Sequence, residues 1–193
     1  MSVAQQVAIA LPDWVDGFVT RWLNQPGMRL DTPQQRMSLA IALSANNVQA
    51  GSGGPFGAVV VEESSGRLVG VGVNLVTSLC LSCAHAEMVA LSLAQRAVSN
   101  WNLGASGRMQ LVTSCEPCAM CFGAIPWSGV TSIVCGAHQA DAEAAGFDEG
   151  EKPHDWARAL QRRGIEVTLD VMRQQAARVL LDYARDAGTI YNP

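Results

Sequence analysis

One pair of segments constrains this chain more than any other feature: His85-Ala86-Glu87, then Pro117-Cys118-Ala119-Met120-Cys121. A His and two Cys at this spacing are metal-ligand types, and a carboxylate lies two residues beyond the His. Cys118 and Cys121 are three apart, so on a helix both sulfurs share a face and reach one ion. His85 and Glu87 open another expected helix. Unpaired N–H groups and partial positive charge gather there and favour thiolate over thiol. Three protein ligands leave the fourth tetrahedral position of zinc open, which marks a catalytic and not a structural site. His85, Cys118 and Cys121 are therefore expected to hold Zn2+. Glu87 faces elsewhere, which suits it to proton transfer.

Other readings of these cysteines stay open. A C-x-x-C is also a redox motif or half of a structural zinc site. Cys80-Leu81-Ser82-Cys83 supplies a second one, so Cys80, Cys83, Cys118 and Cys121 would make a closed, all-thiolate site. That arrangement leaves His85 and Glu87 without a role. Cys80, Cys83 and Cys135 read more simply as small buried residues, and Cys115 as packing beside the metal. His138 and His154 read as structural or surface residues.

A chain of 193 residues suits one well-filled domain. Its 13 Lys and Arg are scattered against 17 Asp and Glu, for a net charge of -4. No basic stripe offers phosphate neutralisation, which argues against a nucleic-acid partner. Met1 to Gly17 shows no charged segment leading an apolar one, and no run approaches the ~20 apolar residues of a membrane helix. A cytoplasmic protein with no membrane association is expected.

Trp14, Val15, Phe18, Val19, Trp22 and Leu23 fall at helical spacing over 13–23. Thr32, Pro33 and Gln35 form a capping box that opens a helix over about 33–50. Gly51 to Pro55 stops it. Gly57–Glu62 and Leu68–Asn74 read as a hairpin. After that, expected helices at 84–99, 117–127, 139–146, 154–163 and 172–187 alternate with strands at 109–113, 131–135 and 165–170. The helix at 117 is expected to open with Pro117. Alternation of this kind implies an α/β fold: a three-layer α/β/α sandwich around a central mixed five-stranded sheet. One domain spans 1–193, with 1–30 as an N-terminal extension covering apolar surface and 172–193 as a C-terminal helix and tail.

With these motifs the chain resembles the cytidine deaminase-like (cytidine/deoxycytidylate deaminase) superfamily. Three further segments make it similar to the bacterial guanine deaminases: Gly53-Gly54-Pro55-Phe56-Gly57-Ala58, Thr113-Ser114-Cys115-Glu116-Pro117-Cys118 and 140–148, which ends in Gly146-Phe147-Asp148. The resemblance implies zinc-dependent hydrolytic deamination of a free base, guanine plus water to xanthine plus ammonia. Zinc-activated hydroxide attacks and Glu87 shuttles the proton. It implies that Phe56 flanks the base, Asn74 holds a purine edge and the Ala86 main-chain N–H contacts the base. It also implies a homodimer in which the C-terminal segment is exchanged and closes each site through Tyr191. An acidic residue after Gly-Phe-Asp binds the purine in that family; Glu149 matches by register, and Glu151 lies close enough to compete. These roles are physically reasonable, because an aromatic face stacks on a flat base and a carboxylate accepts from ring N–H and amino groups. Trp127 is expected to line or support the pocket. Other amino-heterocycles such as cytosine, a tRNA adenosine substrate and a non-catalytic zinc scaffold remain as alternatives.

Overall fold

The computed structural model describes residues 6–192; Met1–Gln5 of the expected N-terminal extension and Pro193 of the tail lie outside the described residues. The element order is α1 (Trp14–Leu23), α2 (Pro33–Gln49), β1 (Gly57–Glu62), β2 (Leu68–Val73), α3 (Val76–Leu79), α4 (Ala86–Ala97), β3 (Met109–Cys115), α5 (Ala119–Ser128), β4 (Ser132–Ala137), α6 (Gln139–Ala144), α7 (Trp156–Gln161), β5 (Glu166–Thr168) and α8 (Arg173–Arg185). A 3-10 turn at Leu103–Ser106 leads into β3.

The five strands form one sheet in the order β2-β1-β3-β4-β5. β1 is antiparallel to both its neighbours, whereas β3, β4 and β5 run parallel. This is the mixed sheet that the hairpin followed by alternation implies. Alternating residues of the strands pack to opposite faces. On one face Ala58, Val60, Leu111 and Ile133 meet α4, α5 and α7 through Ala90, Ile125 and Leu160. On the other Val59, Val61, Val112 and Val134 meet α1 and α2 through Val15, Trp22, Met37 and Leu43. A third cluster packs α8, through Ala176 and Leu180, against Cys115, Ala137 and Phe147. The three-layer architecture follows, and the first helix covers an apolar face as expected.

The capping box at α2 is present: Thr32 Oγ1 accepts from Gln35 N, and Gln35 Oε1 accepts from Thr32 N. Two elements differ from expectation. Residues 76–79 form a short helix that no periodicity marks, because one turn holds too few apolar positions to show a period. Pro117 does not open α5. Cys118 takes extended backbone as its N-cap, so the first helical residue is Ala119. A third correction concerns side chains: Cys80 and Cys83 are exposed in the α3–α4 loop and not buried, while Cys135 is buried as expected.

Candidate active site

Two helix N-termini meet beyond the C-terminal ends of β3 and β4. His85 is the N-cap of α4 with Glu87 in its first turn. Cys118 is the N-cap of α5 with Cys121 in its first turn. The shared helix face inferred from i,i+3 spacing is therefore a cap and its first turn, which still brings both sulfurs together. The ligand atoms of His85, Cys118 and Cys121 lie within 4.8 Å of one another, and among the described residues this is the one such cluster of His, Cys, Asp or Glu. The rival four-cysteine site does not form. Cys118 Sγ and His85 Nδ1 are 3.4 Å apart. Ligands about 2.0 and 2.3 Å from one tetrahedral ion would sit about 3.5 Å apart, so the spacing fits zinc.

Electrostatics agree with this fit. The Cys121 thiol, and then His85, hold the Cys118 sulfur as a thiolate with its pKa down at about 4, against the opposing effect of burial. Cys121 is pushed the other way, first by its hydrogen bond to that thiolate and then by burial. A thiolate with a second thiol, which would lose its proton to a metal, beside an imidazole is a soft donor set for a divalent cation. Cys115 lies behind it as a neutral thiol, kept protonated by burial, with Sγ 3.6 Å from the His138 carbonyl. His138 caps α6 and meets Asp170 at 2.7 Å, and His154 is exposed, so both are structural or surface residues as expected.

Above the cluster lies a cavity of about 320 Å³. Phe56, Asn74, His85, Glu87, Cys118, Glu149 and Tyr191 all line it. Ala86 does not present its side chain there; it is the first residue of α4, whose N–H has no partner within the helix. Glu87 is buried, and burial first, then the Cys118 thiolate, raises its pKa. Glu149 is pushed up to about 8 by burial first, then by the charges of Cys118 and Glu87. Its Oε2 and the Tyr191 hydroxyl are buried with no hydrogen-bond partner. Orphaned polar atoms of this kind are rare in native proteins and point to a missing ligand or water. Asn74 Oδ1 accepts from Val76 N at 3.2 Å, which turns its Nδ2 into a free donor.

Two expected residues are placed elsewhere. Trp127 is 81% exposed, because Cys121 and Ile125 take the buried face of α5 and Trp127 falls opposite. Glu151 is exposed outside the cavity; the chain turns at Gly150, whose N–H is held by Asp148 Oδ1 at 2.8 Å. Conversely, Phe147 joins the site although the sequence marks it only as part of Gly-Phe-Asp. Its ring centroid is 4.9 Å from Phe56, edge-on, and 5.4 Å from Tyr191. Asn192 is the other addition: Oδ1 accepts from Asp148 N at 3.0 Å, and Nδ2 donates to Gly146 O at 2.8 Å. These bonds lay the tail along the loop that carries Glu149. Tyr191 is seated against Gly54, where a Cβ would collide with its ring and hydroxyl. A lone aromatic and a lone amide near a chain end carry no pattern that reveals such contacts.

The family model for the cytidine and deoxycytidylate deaminase zinc-binding region matches residues 30–137, and the chain belongs to this family. Among its relatives is the guanine deaminase of Bacillus subtilis, 41% identical over 110 residues that cover 57% of this chain and 67% of that protein. The solved guanine deaminase from Nitrosomonas europaea is 42% identical with a TM-score of 0.84, over 96% of this chain and 100% of that one. The structure of NE0047 in complex with 2,6-diaminopurine is 45% identical with a TM-score of 0.84, over 96% of each chain.

Proposed function

We propose that this protein deaminates guanine, taking guanine and water to xanthine and ammonia. The observation that carries this reading is the buried, unpartnered Glu149 Oε2 in the cavity that His85, Glu87 and Cys118 also line. Burial holds the Glu149 carboxyl up at about 8, and N–H donors from a bound ligand would favour its ionised, accepting form; guanine has such donors at N1 and the 2-amino group. The aromatic wall of Phe56 and Phe147 suits a flat ring. The cavity lies at the small end of ligand pockets, which span about 300–1,000 Å³, and favours a free base over a nucleotide. The relatives named above are guanine deaminases, and one related structure holds a diaminopurine.

His85, Cys118 and Cys121 would hold zinc, which when bound supplies Lewis acidity and lowers the pKa of water to about 7. The remaining steps belong to the chain. Glu87, whose carboxyl is pushed up by burial and then by the Cys118 thiolate, is suited to hold and release a proton. Its carboxylate takes a proton from the attacking water and delivers it to the unprotonated ring nitrogen next to the amine-bearing carbon; it then moves the proton of the added hydroxyl to the amine, the C–N bond breaks and ammonia leaves. Asn74 Nδ2 donates to an acceptor on the ring, the Ala86 N–H contributes a second donor, and Glu149 accepts from the base. Tyr191 and the tail close the cavity over the base and exclude water, which strengthens these few polar contacts. The reading extends to a homodimer with the 172–193 segment exchanged between subunits. In this structure the tail covers the cavity of its own chain.

The test is ammonia release by the zinc-loaded protein from guanine, guanosine, adenine, cytosine and an adenosine-bearing tRNA anticodon loop. Release from guanine and not from guanosine is expected. Release only from another member of the panel would overturn the substrate and keep the zinc chemistry.

A further inference from the structure

Asn47 takes no part in the chemistry described above. It lies near the end of α2, fully buried and outside the cavity lining. Its Nδ2 donates to two carbonyls, Gly54 O and Asn74 O, each at 2.9 Å. These carbonyls belong to the two segments that extend past the β1–β2 ladder, whose pairing begins at Gly57 and Val73. One segment seats Tyr191 at Gly54; the other presents Asn74 to the cavity.

Beyond the ladder these segments lack regular pairing. Asn74 N donates to Phe56 O at 3.1 Å, and Phe56 N to Gly54 O at 2.9 Å. Gly53 lies so close to the Asn74 carbonyl that a Cβ there would collide with it. α2 supplies the anchors: Ser44 Oγ donates to Pro55 O at 2.7 Å, and Asn47 ties both segments at once. The Asn47 side chain is oriented for these carbonyls and not for its own satisfaction, because its Oδ1 is left buried with no partner. The opposite orientation would set that oxygen against two carbonyl oxygens. A buried acceptor left unmade is costly, so the double donation must outweigh it.

We propose that Asn47 is a positioning residue that sets the Asn74 wall and the Tyr191 seat relative to each other, so that both meet one bound base in register. The role rests on reading the cavity as a base site. One amide group acts on both sides, so its effect reaches the base through Asn74 and through the tail.

The test uses the full-length, zinc-loaded protein with Asn47→Asp, which keeps the shape and removes the donor. Asn47→Ser, which keeps one donor, covers the case in which Asn47→Asp does not fold. Zinc content is expected to stay unchanged, KM for guanine to rise about tenfold or more, and kcat to change less. In a double-mutant cycle with Asn74→Ala, the KM penalties are expected to fall short of their product, since both act on one wall. Amide exchange is expected to quicken at 51–56, 74–76 and 188–192, and not through the rest of α2. Unchanged KM, penalties that multiply, or exchange that rises throughout α2 and β1 would overturn the role. The exchange measurement needs no substrate. Failure of wild-type guanine turnover would therefore strike the proposed function, while the exchange pattern would still decide the role of Asn47.

Discussion

The two ends of the sheet treat buried polar groups in opposite ways. At the end away from the cavity, Arg36 donates to Leu30 O at 2.6 Å, Gln110 Oε1 at 2.8 Å and Glu63 O at 3.3 Å. Gln110 continues to Ser132 Oγ at 2.9 Å, and Ser132 and Thr131 both donate to Glu63 Oε1, at 2.7 and 3.0 Å. Burial works to raise the Glu63 carboxyl, yet the Ser132 and Thr131 hydroxyls hold it below its usual range. At the cavity end Glu87 and Glu149 are pushed up, and Glu149 Oε2 and the Tyr191 hydroxyl have no partner. One end is satisfied by the chain itself and serves stability. The other is left unsatisfied, a condition that a ligand relieves.

The contrast breaks most visibly if the tail is removed. Ending the chain after Ala187 is expected to lower kcat/KM for guanine by about 10²-fold, because Tyr191 and Asn192 no longer position the base and the Glu149 loop. The melting temperature, by contrast, is expected to move little. Mixing truncated subunits with Glu87→Gln subunits that keep their tails tests exchange: recovered turnover means that tails cross between subunits, and none means that each closes its own site. Unchanged kinetics in the truncated protein would remove the tail from the account.

At the opposite end the expected effect reverses in kind. Arg36→Met strands several buried acceptors and is expected to cost about 3 kcal/mol of stability in denaturant titration, with kcat/KM unchanged in the folded protein. Loss of activity without loss of stability would mean that the two ends are not separable. The smallest expected effect sharpens the acidic loop. Glu149→Gln should raise KM for guanine about tenfold, the scale of one charge-assisted hydrogen bond, whereas Glu151→Gln should leave it unchanged. The reverse pattern would reassign the purine contact to Glu151.

The sequence carried the parts of the fold that rest on local chemistry. The Thr32–Gln35 capping box, the hairpin ending near Asn74 and the strand–helix alternation are each written in adjacent residues. The clustering of His85, Cys118 and Cys121, with Glu87 in the cavity beside them, was legible because the spacing of these residues is itself the signal. The surroundings of the site were legible only where a resemblance supplied them, since contacts across many residues leave no local trace. Asn47 reaches Asn74 over 27 positions and Asn192 reaches Gly146 over 46. Trp127 shows the converse. A large aromatic six residues past a metal ligand suggests a pocket wall, but helix phase turns it outward.

The central claim is that Glu87 moves the proton in a cavity whose metal site and binding groups do not depend on it for their shape. The most direct measurement compares wild type and Glu87→Gln, both zinc-loaded, for zinc content, guanine binding by calorimetry and ammonia release. The expected result is equal zinc, retained guanine binding and turnover lower by about 10²-fold or more. Near-wild-type turnover in a fully zinc-loaded Glu87→Gln protein would contradict the account.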